Sequence, residues 1–453
     1  MDTSKPKNPK LRRHAKSFLD NLRELLTPAI WKQAKQARGL KRKQPRWAVQ
    51  PLVLTLLTMT WCCGDSQGER FETAKGFAGV CLAKRRRPGE SVQGFQNALA
   101  KLPVRVLRVV AAGVRRRLLA LLDLQSDGFV VFGCDGSSME TPRVEELERR
   151  LDPPLKKQAR PQVWVTALVH LRTGLLWSWR LGKGYNRERN HLRMLLATLP
   201  NAALIVADAG FNGYDLARDI TRAGASFVIR MSGKDRLYTD QPIEAKNYQE
   251  GEVFLWTQQA PKEGIAPLRV RLIRIRAKKR RDVWLLTNVL DTKRLTAEMA
   301  GRYYRWRWEN EGLFRTFKRT LAKVRLLSRT VRLVHREAEG ALLATQLLLA
   351  QGVQAMGPRL SKTAPLRCSP RKVLLVIRDV ILGKIGIRKK ETMRKRLAKA
   401  IREDRQRTSS KIKRKWLGRG NHKPQKPPSF LMLTEHEKAL AAKLLETIEQ
   451  PKR

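Results

Sequence analysis

The first quarter of the chain has the hydrophobic period of amphipathic helices. In the segment SFLDNLRELL, five apolar residues recur at helical intervals and fall on one face: Phe18, Leu19, Leu22, Leu25 and Leu26. The longest apolar run, residues 52–63, is too short for the roughly 20 residues that a membrane-spanning helix needs. It therefore predicts a buried helix within a helical region that covers residues 1–125.

The period changes at about residue 128. GFVVFGCDG is a short run of apolar and β-branched residues that ends in a turn signal, and the segment 161–184 predicts two strands joined at Arg172-Thr173-Gly174. Helical and strand-like segments then alternate as far as SFVIRMSG. An antiparallel start followed by β-α-β-α alternation predicts an α/β fold, with a mixed sheet that has helices on both faces.

Residues 233–290 break this alternation and predict a β-rich insertion. LRVRLIRIR alternates arginine with apolar residues, but its phase shifts between Leu272 and Ile273, as a β-bulge or a strong twist would produce. A basic turn, AKKRRD, follows, and helices resume at about Thr296. Residues 388–426 hold 17 Lys or Arg against three acids and are predicted to be partly disordered until they bind phosphate. TEHEKALAAKLLETIEQ predicts a last amphipathic helix.

The charge of the chain points to a polyanionic partner. It carries 94 Lys and Arg against 40 Asp and Glu, a formal net charge of +54. Nucleic acid fits this excess because each neutralised phosphate releases a counterion; an acidic lipid surface could attract the same charge. Apolar residues make up 42% of the sequence, which excludes a disordered basic tail. Three basic clusters favour DNA contacts by the N-terminal helices: Lys41 to Lys43, Lys84 to Arg87 and Arg115 to Arg117.

Signals for secretion and for structural cysteines are missing from the sequence. No apolar stretch directly follows the basic start, MDTSKPKNPKLRRHAK. The five cysteines are odd in number and form neither a CxxC pair nor a zinc pattern with histidine. We therefore expect a reduced cytoplasmic setting and no membrane partner.

Two aspartates stand at the ends of apolar strands in this basic chain. Asp135 ends GFVVFGCD and Asp208 ends ALIVAD. Carboxylates at the carboxyl ends of strands in one sheet can converge in the crevice where open α/β sheets bind ligands, and a shared Mg²⁺ would stabilise them together. Each residue also has a simpler interpretation: Asp135-Gly136 as a turn, and Asp208 as a helix cap.

A third acid lies in the predicted helix RYYRWRWENEGLFRTFKRTL. At about 100° per residue, Tyr304, Arg307, Glu311 and Lys318 fall within about 60° of arc. The stripe can be a surface salt-bridge ladder. Alternatively, Glu311 completes a metal site while the hydroxyl and the two cations hold a polyanionic strand.

These segments together resemble the DDE transposases of bacterial insertion sequences. DGSSMETPR, DAGF and the spacing Tyr304-(x2)-Arg307-(x3)-Glu311-(x6)-Lys318 are similar to the three signature regions of the cut-and-paste group that has a Tyr-Arg-Glu-Lys helix. The resemblance covers about residues 128–330. It implies a ribonuclease-H-like fold in which Asp135, Asp208 and Glu311 bind two Mg²⁺ or Mn²⁺ ions, and Tyr304, Arg307 and Lys318 bind DNA phosphates.

The resemblance also implies the course of the reaction and the partners. The enzyme would cleave double-stranded DNA at the inverted repeats of an element, pass through a hairpin and join the freed end to target DNA, acting as a homodimer in the bacterial nucleoid. In the group, a tryptophan of the insertion can stack on a flipped base, and Trp256 and Trp284 are the candidates. Two alternatives remain: a nuclease or resolvase of the same fold without strand transfer, and a non-catalytic DNA-binding relic.

Other residues near these segments are given packing or surface roles. Glu140 is interpreted as a solvated turn acid rather than a further ligand, and Trp306 and Trp308 are expected to pack the helix. The predicted division of the chain is a helical DNA-binding region at 1–125, the first part of the catalytic domain at 126–232, the insertion at 233–290, the second part of the catalytic domain at 291–360, and a basic C-terminal region at 361–453.

Overall fold

The computed structural model describes most of the chain as helices and strands. The described residues are 17–39, 47–64, 66–82, 88–151, 160–182, 188–257, 263–276, 282–356, 364–365, 368–400 and 427–449. They belong to two compact units. The first unit draws on Met1–Ser126, Gly136–Arg187 and Glu309–Glu403, and the second draws on Asp127–Asp135, Glu188–Trp308 and Asp404–Arg453.

Helices and strands alternate along much of the described chain. The helices are α1 (Phe18–Leu25), α2 (Pro28–Arg38), α3 (Val49–Trp61), α4 (Gln67–Cys81), α5 (Val92–Lys101), α6 (Val104–Leu121), α7 (Glu145–Arg150), α8 (Glu188–Leu196), α9 (Tyr214–Arg222), α10 (Ala297–Trp306), α11 (Glu309–Arg315), α12 (Val331–Met356), α13 (Pro370–Ile381), α14 (Lys390–Ala398) and α15 (Glu435–Glu449). The strands are β1 (Val130–Glu140), β2 (Gln162–His170), β3 (Leu175–Gly182), β4 (Ala203–Ala207), β5 (Ser226–Arg230), β6 (Arg236–Thr239), β7 (Glu250–Leu255), β8 (Leu268–Ile275), β9 (Val283–Thr287) and β10 (Ser429–Met432).

The first unit is organised around the long helix α12. This helix packs against α3, α6 and β3, and most of its described side chains are buried. A glycine allows a close approach to α3, since a Cβ atom on Gly340 would lie 2.4 Å from Cδ2 of Leu56. Residues of the apolar run at 52–57 are all buried in α3, as the sequence predicts.

The second unit is organised around a mixed sheet. Its strand order is β10-β6-β7-β8-β9-β5-β4-β1. β1, β4 and β5 are parallel neighbours, while β5 pairs antiparallel with β9, and β9 pairs antiparallel with β8. The predicted α/β class with a mixed sheet, and the helical terminal regions, are confirmed.

The insertion strands differ from the prediction in two respects. They continue the sheet of the second unit, because β9 pairs directly with β5. Of the two predicted causes of the phase shift, the bulge is wrong: β8 keeps its register through Leu272 and Ile273 against β7 and β9. The phase shift arises because residues 270–273 are all buried, so this strand is covered on both faces. A register shift occurs in the β2–β3 hairpin of the first unit, between Leu168 and Val169.

Several sequence-based expectations fall on residues outside the described set. These are the basic clusters at 41–43 and 84–87, the basic turn at 277–281 and most of the basic segment after residue 400. Arg115 to Arg117 lie in α6, and helix α14 covers part of the segment that begins at residue 388. None of the helices described is long and apolar enough to cross a membrane. The five-part division of the chain stays a prediction.

Candidate active site

Asp135 and Asp208 lie at the same end of two neighbouring parallel strands. β1 pairs with β4 in a register that ends at Gly133 opposite Val206. Each aspartate lies two residues beyond this last pair, Asp135 within β1 and Asp208 directly after β4. Asp135 is inside β1, which excludes its interpretation as a turn residue.

Next to Asp208 lies an arginine that sequence analysis missed. β4 pairs with β5 in a register that ends at Ala207 opposite Ile229, so the next pair is Asp208 and Arg230. The guanidinium of Arg230 lies 3.7 Å from Oδ1 of Asp208. Its position at the end of β5, a third buried strand followed by a polar residue, was the available signal in SFVIR.

Hydrogen-bond donors and cationic groups from three parts of the chain surround the carboxylate of Asp208. Its Oδ1 accepts a hydrogen bond of 2.8 Å from the backbone N–H of Ala209, so the residue caps the short 3₁₀ turn Ala209–Phe211. Tyr304 donates its hydroxyl to Oδ1 at 3.3 Å, and Nη2 of Arg307 lies 3.7 Å from Oδ2. The capping role suggested by the sequence is therefore present, together with a cationic environment. The side chain is still 45% exposed, which leaves it accessible to a ligand.

Tyr304 and Arg307 extend from the end of α10. This helix begins at the cap residue Thr296, which accepts from the N–H of Met299. Burial and the Asp208 carboxylate raise the pKa of Tyr304, so its hydroxyl remains a donor at neutral pH. Arg307 stacks on the rings of Tyr304 and Trp308, at 5.4 and 5.8 Å, and among the described residues its buried Nε has no acceptor.

The predicted single helix through residues 302–321 is wrong. α10 ends at Trp306, α11 spans Glu309–Arg315, and a π-helical turn covers Thr316–Thr320. At the break, the N–H groups of Arg307 and Trp308 bond three residues back rather than four. The uniform 100° projection therefore does not hold beyond Arg307, and the predicted continuous stripe of four residues is interrupted.

Glu311 and Lys318 belong to the first unit. Glu311 is an exposed residue in the first turn of α11. Lys318 is half-buried in the π-helical turn, and burial lowers its pKa, although the nearby Glu140 acts in the opposite direction. Glu140 is the last residue of β1, and its backbone exchanges hydrogen bonds with Val324 and Leu326. It is a strand residue, not the solvated turn acid that we expected.

The exposed tryptophan of the site is not one of the two in the insertion. Trp256 and Trp284 are each only 4% exposed. The indole N–H of Trp256 is donated to the carbonyl of Ile265, and Trp284 stacks on Tyr248, so in this structure neither offers a ring face to a base. By contrast, Trp308 is 62% exposed, which corrects the expectation that it packs the helix. Trp306 does pack, 6% exposed, against Tyr303.

The Asp135 and Asp208 pair has the chemistry of a site for a hard divalent cation. Carboxylate oxygens are the ligands that Mg²⁺ and Mn²⁺ prefer, and a cation reduces the repulsion of two carboxylates at the same end of neighbouring strands. Within the described part of the chain, no group of three or more His, Cys, Asp or Glu side chains is placed to hold a metal. The metal site of Asp135, Asp208 and Glu311 therefore stays a prediction.

Comparison with known proteins finds similarity to transposases. Residues 130–347 match the family model described as a transposase DDE domain. This segment contains all six residues of the predicted catalytic and phosphate-binding set. No curated protein is significantly similar in sequence. Among solved structures, the chain is similar to a piggyBac transposase synaptic complex with hairpin DNA, at 11% identity over 88% of each chain and a TM-score of 0.43. The family match covers slightly less than half of the chain, and within that segment the chain is similar to transposase DDE domains.

Proposed function

We propose that the chain is a cut-and-paste DDE transposase of the bacterial insertion-sequence group with a Tyr-Arg-Glu-Lys signature. The observation that carries this proposal is the position of Asp135 within β1 and of Asp208 directly after its parallel neighbour β4, each two residues beyond their last register pair, inside the segment that matches the transposase domain. A binding protein that relies on charge alone has no use for two carboxylates at the same end of neighbouring strands in a chain with a net charge of +54.

Asp135, Asp208 and Glu311 are the proposed ligands of two Mg²⁺ or Mn²⁺ ions. When bound, such ions activate a water or a 3′-hydroxyl and stabilise the leaving oxygen of an in-line displacement. The remaining residues position the substrate. Arg307 presents a buried Nε with no acceptor, which suits a phosphate oxygen, and Tyr304 presents a protonated hydroxyl. Lys318 is the third proposed phosphate contact.

The proposed reaction takes place at the ends of a DNA element. Water cleaves one strand and frees a 3′-hydroxyl, and this hydroxyl attacks the opposite strand to form a hairpin. After the hairpin is opened, the 3′-hydroxyl attacks target DNA, and a target 3′-hydroxyl leaves. The proposed partners are the terminal inverted repeats, target DNA and a second copy of the chain, with the complex in the bacterial cytoplasm at the nucleoid.

Replacement of Glu311 by glutamine tests the third ligand and the enzyme class together. We expect Glu311→Gln to lose cleavage of a duplex that carries the inverted repeat flanking the gene, while binding of that duplex in EDTA is unchanged. Persistent cleavage would show that Glu311 is not a ligand. A strand-transfer assay with a pre-cleaved end then separates the alternatives: wild-type protein that cleaves but never joins this end to a plasmid is a nuclease, and protein that does neither is a DNA-binding relic.

Trp308 is expected to contact DNA through its exposed ring. Base–aromatic stacking contributes about 1–3 kcal/mol per base, so Trp308→Ala should raise Kd about 5- to 140-fold. The measurement is fluorescence anisotropy with a duplex that ends in unpaired nucleotides, at fixed salt. Trp308→Phe keeps a ring and should recover most of the affinity. Equal affinity of the alanine variant and the wild type would remove Trp308 from the proposed interface.

A further inference from the structure

A buried carboxylate in the first unit anchors a group of arginines. Glu339, on α12, is 1% exposed. Its Oε1 accepts from Nε and Nη2 of Arg108, at 3.1 and 3.0 Å, and its Oε2 accepts from the indole N–H of Trp179 at 2.7 Å. These contacts join α6, β3 and α12 at one place, and none of them involves a residue assigned to catalysis.

More positive charge is gathered here than Glu339 can neutralise. Arg336 lies one turn before Glu339 on α12, where its Nε donates to the carbonyl of Leu102 and its Nη1 donates to the carbonyl of Arg332. Arg180 follows Trp179 on β3. We refer to Arg108, Arg180, Arg332 and Arg336 as the arginine cluster.

The charges of these side chains act on one another in pairs. Burial lowers the pKa of Arg180, and the charge of Arg108 lowers it further. Burial and then Arg332 lower the pKa of Arg336 in the same way. His335, beside them, has its pKa lowered by burial, Arg336 and Arg108, so it is neutral at pH 7. The cluster therefore holds four positive charges against one carboxylate.

Like charges held together in a partly dehydrated place are unfavourable unless an anion joins them. Arg332 is exposed, and the side chain of Arg108 is 42% exposed, so the cluster can be reached from solvent. We propose that the arginine cluster binds backbone phosphates of duplex DNA as a contact separate from the catalytic residues. This inference rests on the proposed function only for the identity of the polyanion.

Duplex DNA fits the arrangement better than a single small anion. The guanidiniums come from three different elements, and Arg332 and Arg336 are one helical turn apart, about 5.4 Å along α12. Phosphates of one strand follow each other every 3.4 Å or so along the duplex axis, so neighbouring arginines can contact successive phosphates. Planar guanidinium groups also match phosphate oxygens in bidentate geometry.

The test uses the full-length protein and a random 30-base-pair duplex in EDTA. The variant is Arg180→Gln with Arg332→Gln, because these two side chains do not hold Glu339 or Leu102. The control is Arg149→Gln, which removes an exposed charge on α7 that is paired with Glu145. Affinity is measured by fluorescence anisotropy at several salt concentrations, and circular dichroism melting checks that each variant is folded.

We expect the slope of log K against log salt to fall in magnitude by about 0.9 per lost phosphate contact, or about 1.8 for the double variant, and not to change for Arg149→Gln. An unchanged slope for the double variant, or an equal change in the control, would overturn the proposal. The proposal would also be overturned if the double variant lost its binding to vesicles of anionic phospholipid but kept its binding to DNA.

The outcome is independent of catalysis. If the wild-type protein never cleaves DNA but the salt slope still falls in the double variant and not in Arg149→Gln, the result contradicts the proposed function and supports the arginine cluster. Protein that cleaves and joins DNA with the double variant binding as wild type would support the function and contradict the cluster.

Discussion

Asp208→Asn is expected to reduce DNA cleavage by at least about a thousandfold. Metal ions at a transferring phosphoryl group supply several kcal/mol of transition-state stabilisation, and each 1.4 kcal/mol or so is a factor of ten in rate. Asparagine is a good cap for the turn at Ala209 and still accepts from Tyr304, so the local structure should persist. What is lost is the negative charge that lies between Asp135, Arg230 and Arg307.

The measurement is single-turnover cleavage of an inverted-repeat duplex in Mg²⁺, with binding of the same duplex measured in EDTA. Asp219→Asn is the matched control: Asp219 is a partly exposed acid of the same unit, on α9, and is ion-paired with Arg193 at 2.7 Å. We expect the control to cleave at close to the wild-type rate. If Asp208→Asn retained more than about a tenth of the wild-type rate, Asp208 would be a structural cap and not a ligand.

The positions of the two aspartates could be predicted because each follows an apolar run that only a buried strand explains. The pairing of β1 with β4 could not be predicted, since it joins residues about 70 positions apart in the chain. Arg230 was missed for the same reason. In the sequence it is one of 94 basic residues, and its proximity to Asp208 emerges only when β5 pairs with β4.

The segment around Arg307 shows a different limit of sequence analysis. Residue spacing predicts a common helix face only while the helix keeps a constant period. The hydrophobic pattern does not reveal that Arg307 and Trp308 donate to the carbonyl three residues back, or that a π-helical turn forms at Lys318. The same pattern cannot distinguish an exposed tryptophan from a buried one. Trp284 lies two residues after Asp282 and Trp308 lies between Arg307 and Glu309, yet one stacks on Tyr248 and the other is open to solvent.

The pairing of a short strand with a strand far away in the sequence could not be predicted either. β10, only four residues long, pairs in parallel with β6, which precedes it by about 190 residues. Its sequence, SFLM, carries no alternation that would separate it from the loop before α15. Long periodic segments such as α3 and β4 were predictable because burial imposes a pattern on every residue, whereas an edge strand with mostly exposed side chains is under no such constraint.

Glu337→Ala is expected to lower the free energy of unfolding by about 3–5 kcal/mol. Glu337 and Lys323 form an ion pair at 3.0 Å whose side chains are only 11% and 6% exposed. The carboxylate also accepts from the backbone N–H groups of Leu327 and Ser328, at 3.0 and 2.9 Å. Its removal leaves a buried ammonium and two buried N–H groups without their acceptor, and loss of one partner of a buried pair is strongly destabilising.

The pH dependence of this effect has a definite sign. Burial by itself raises the pKa of Glu337, but Lys323 and the Ser328 N–H outweigh it, so the folded-state pKa lies below the ordinary value of 4.5. A carboxyl with a lowered pKa stabilises the fold above its unfolded pKa and stops doing so as the pH falls through its folded pKa. We therefore expect the difference between wild type and Glu337→Ala in urea unfolding to be full at pH 7 and to shrink below about pH 4.5.

Two comparisons make the result specific to the buried pair. Glu337→Gln keeps an acceptor for the two N–H groups and should cost less than the alanine variant, because only the charge is removed. Glu145→Ala breaks an exposed pair with Arg149, both more than 70% exposed, and should change the unfolding free energy by less than about 1 kcal/mol. If Glu337→Ala lowered the free energy of unfolding no more than Glu145→Ala does, the loop that follows Lys318 would be held by its backbone contacts with Glu140 and not by the Glu337 carboxylate.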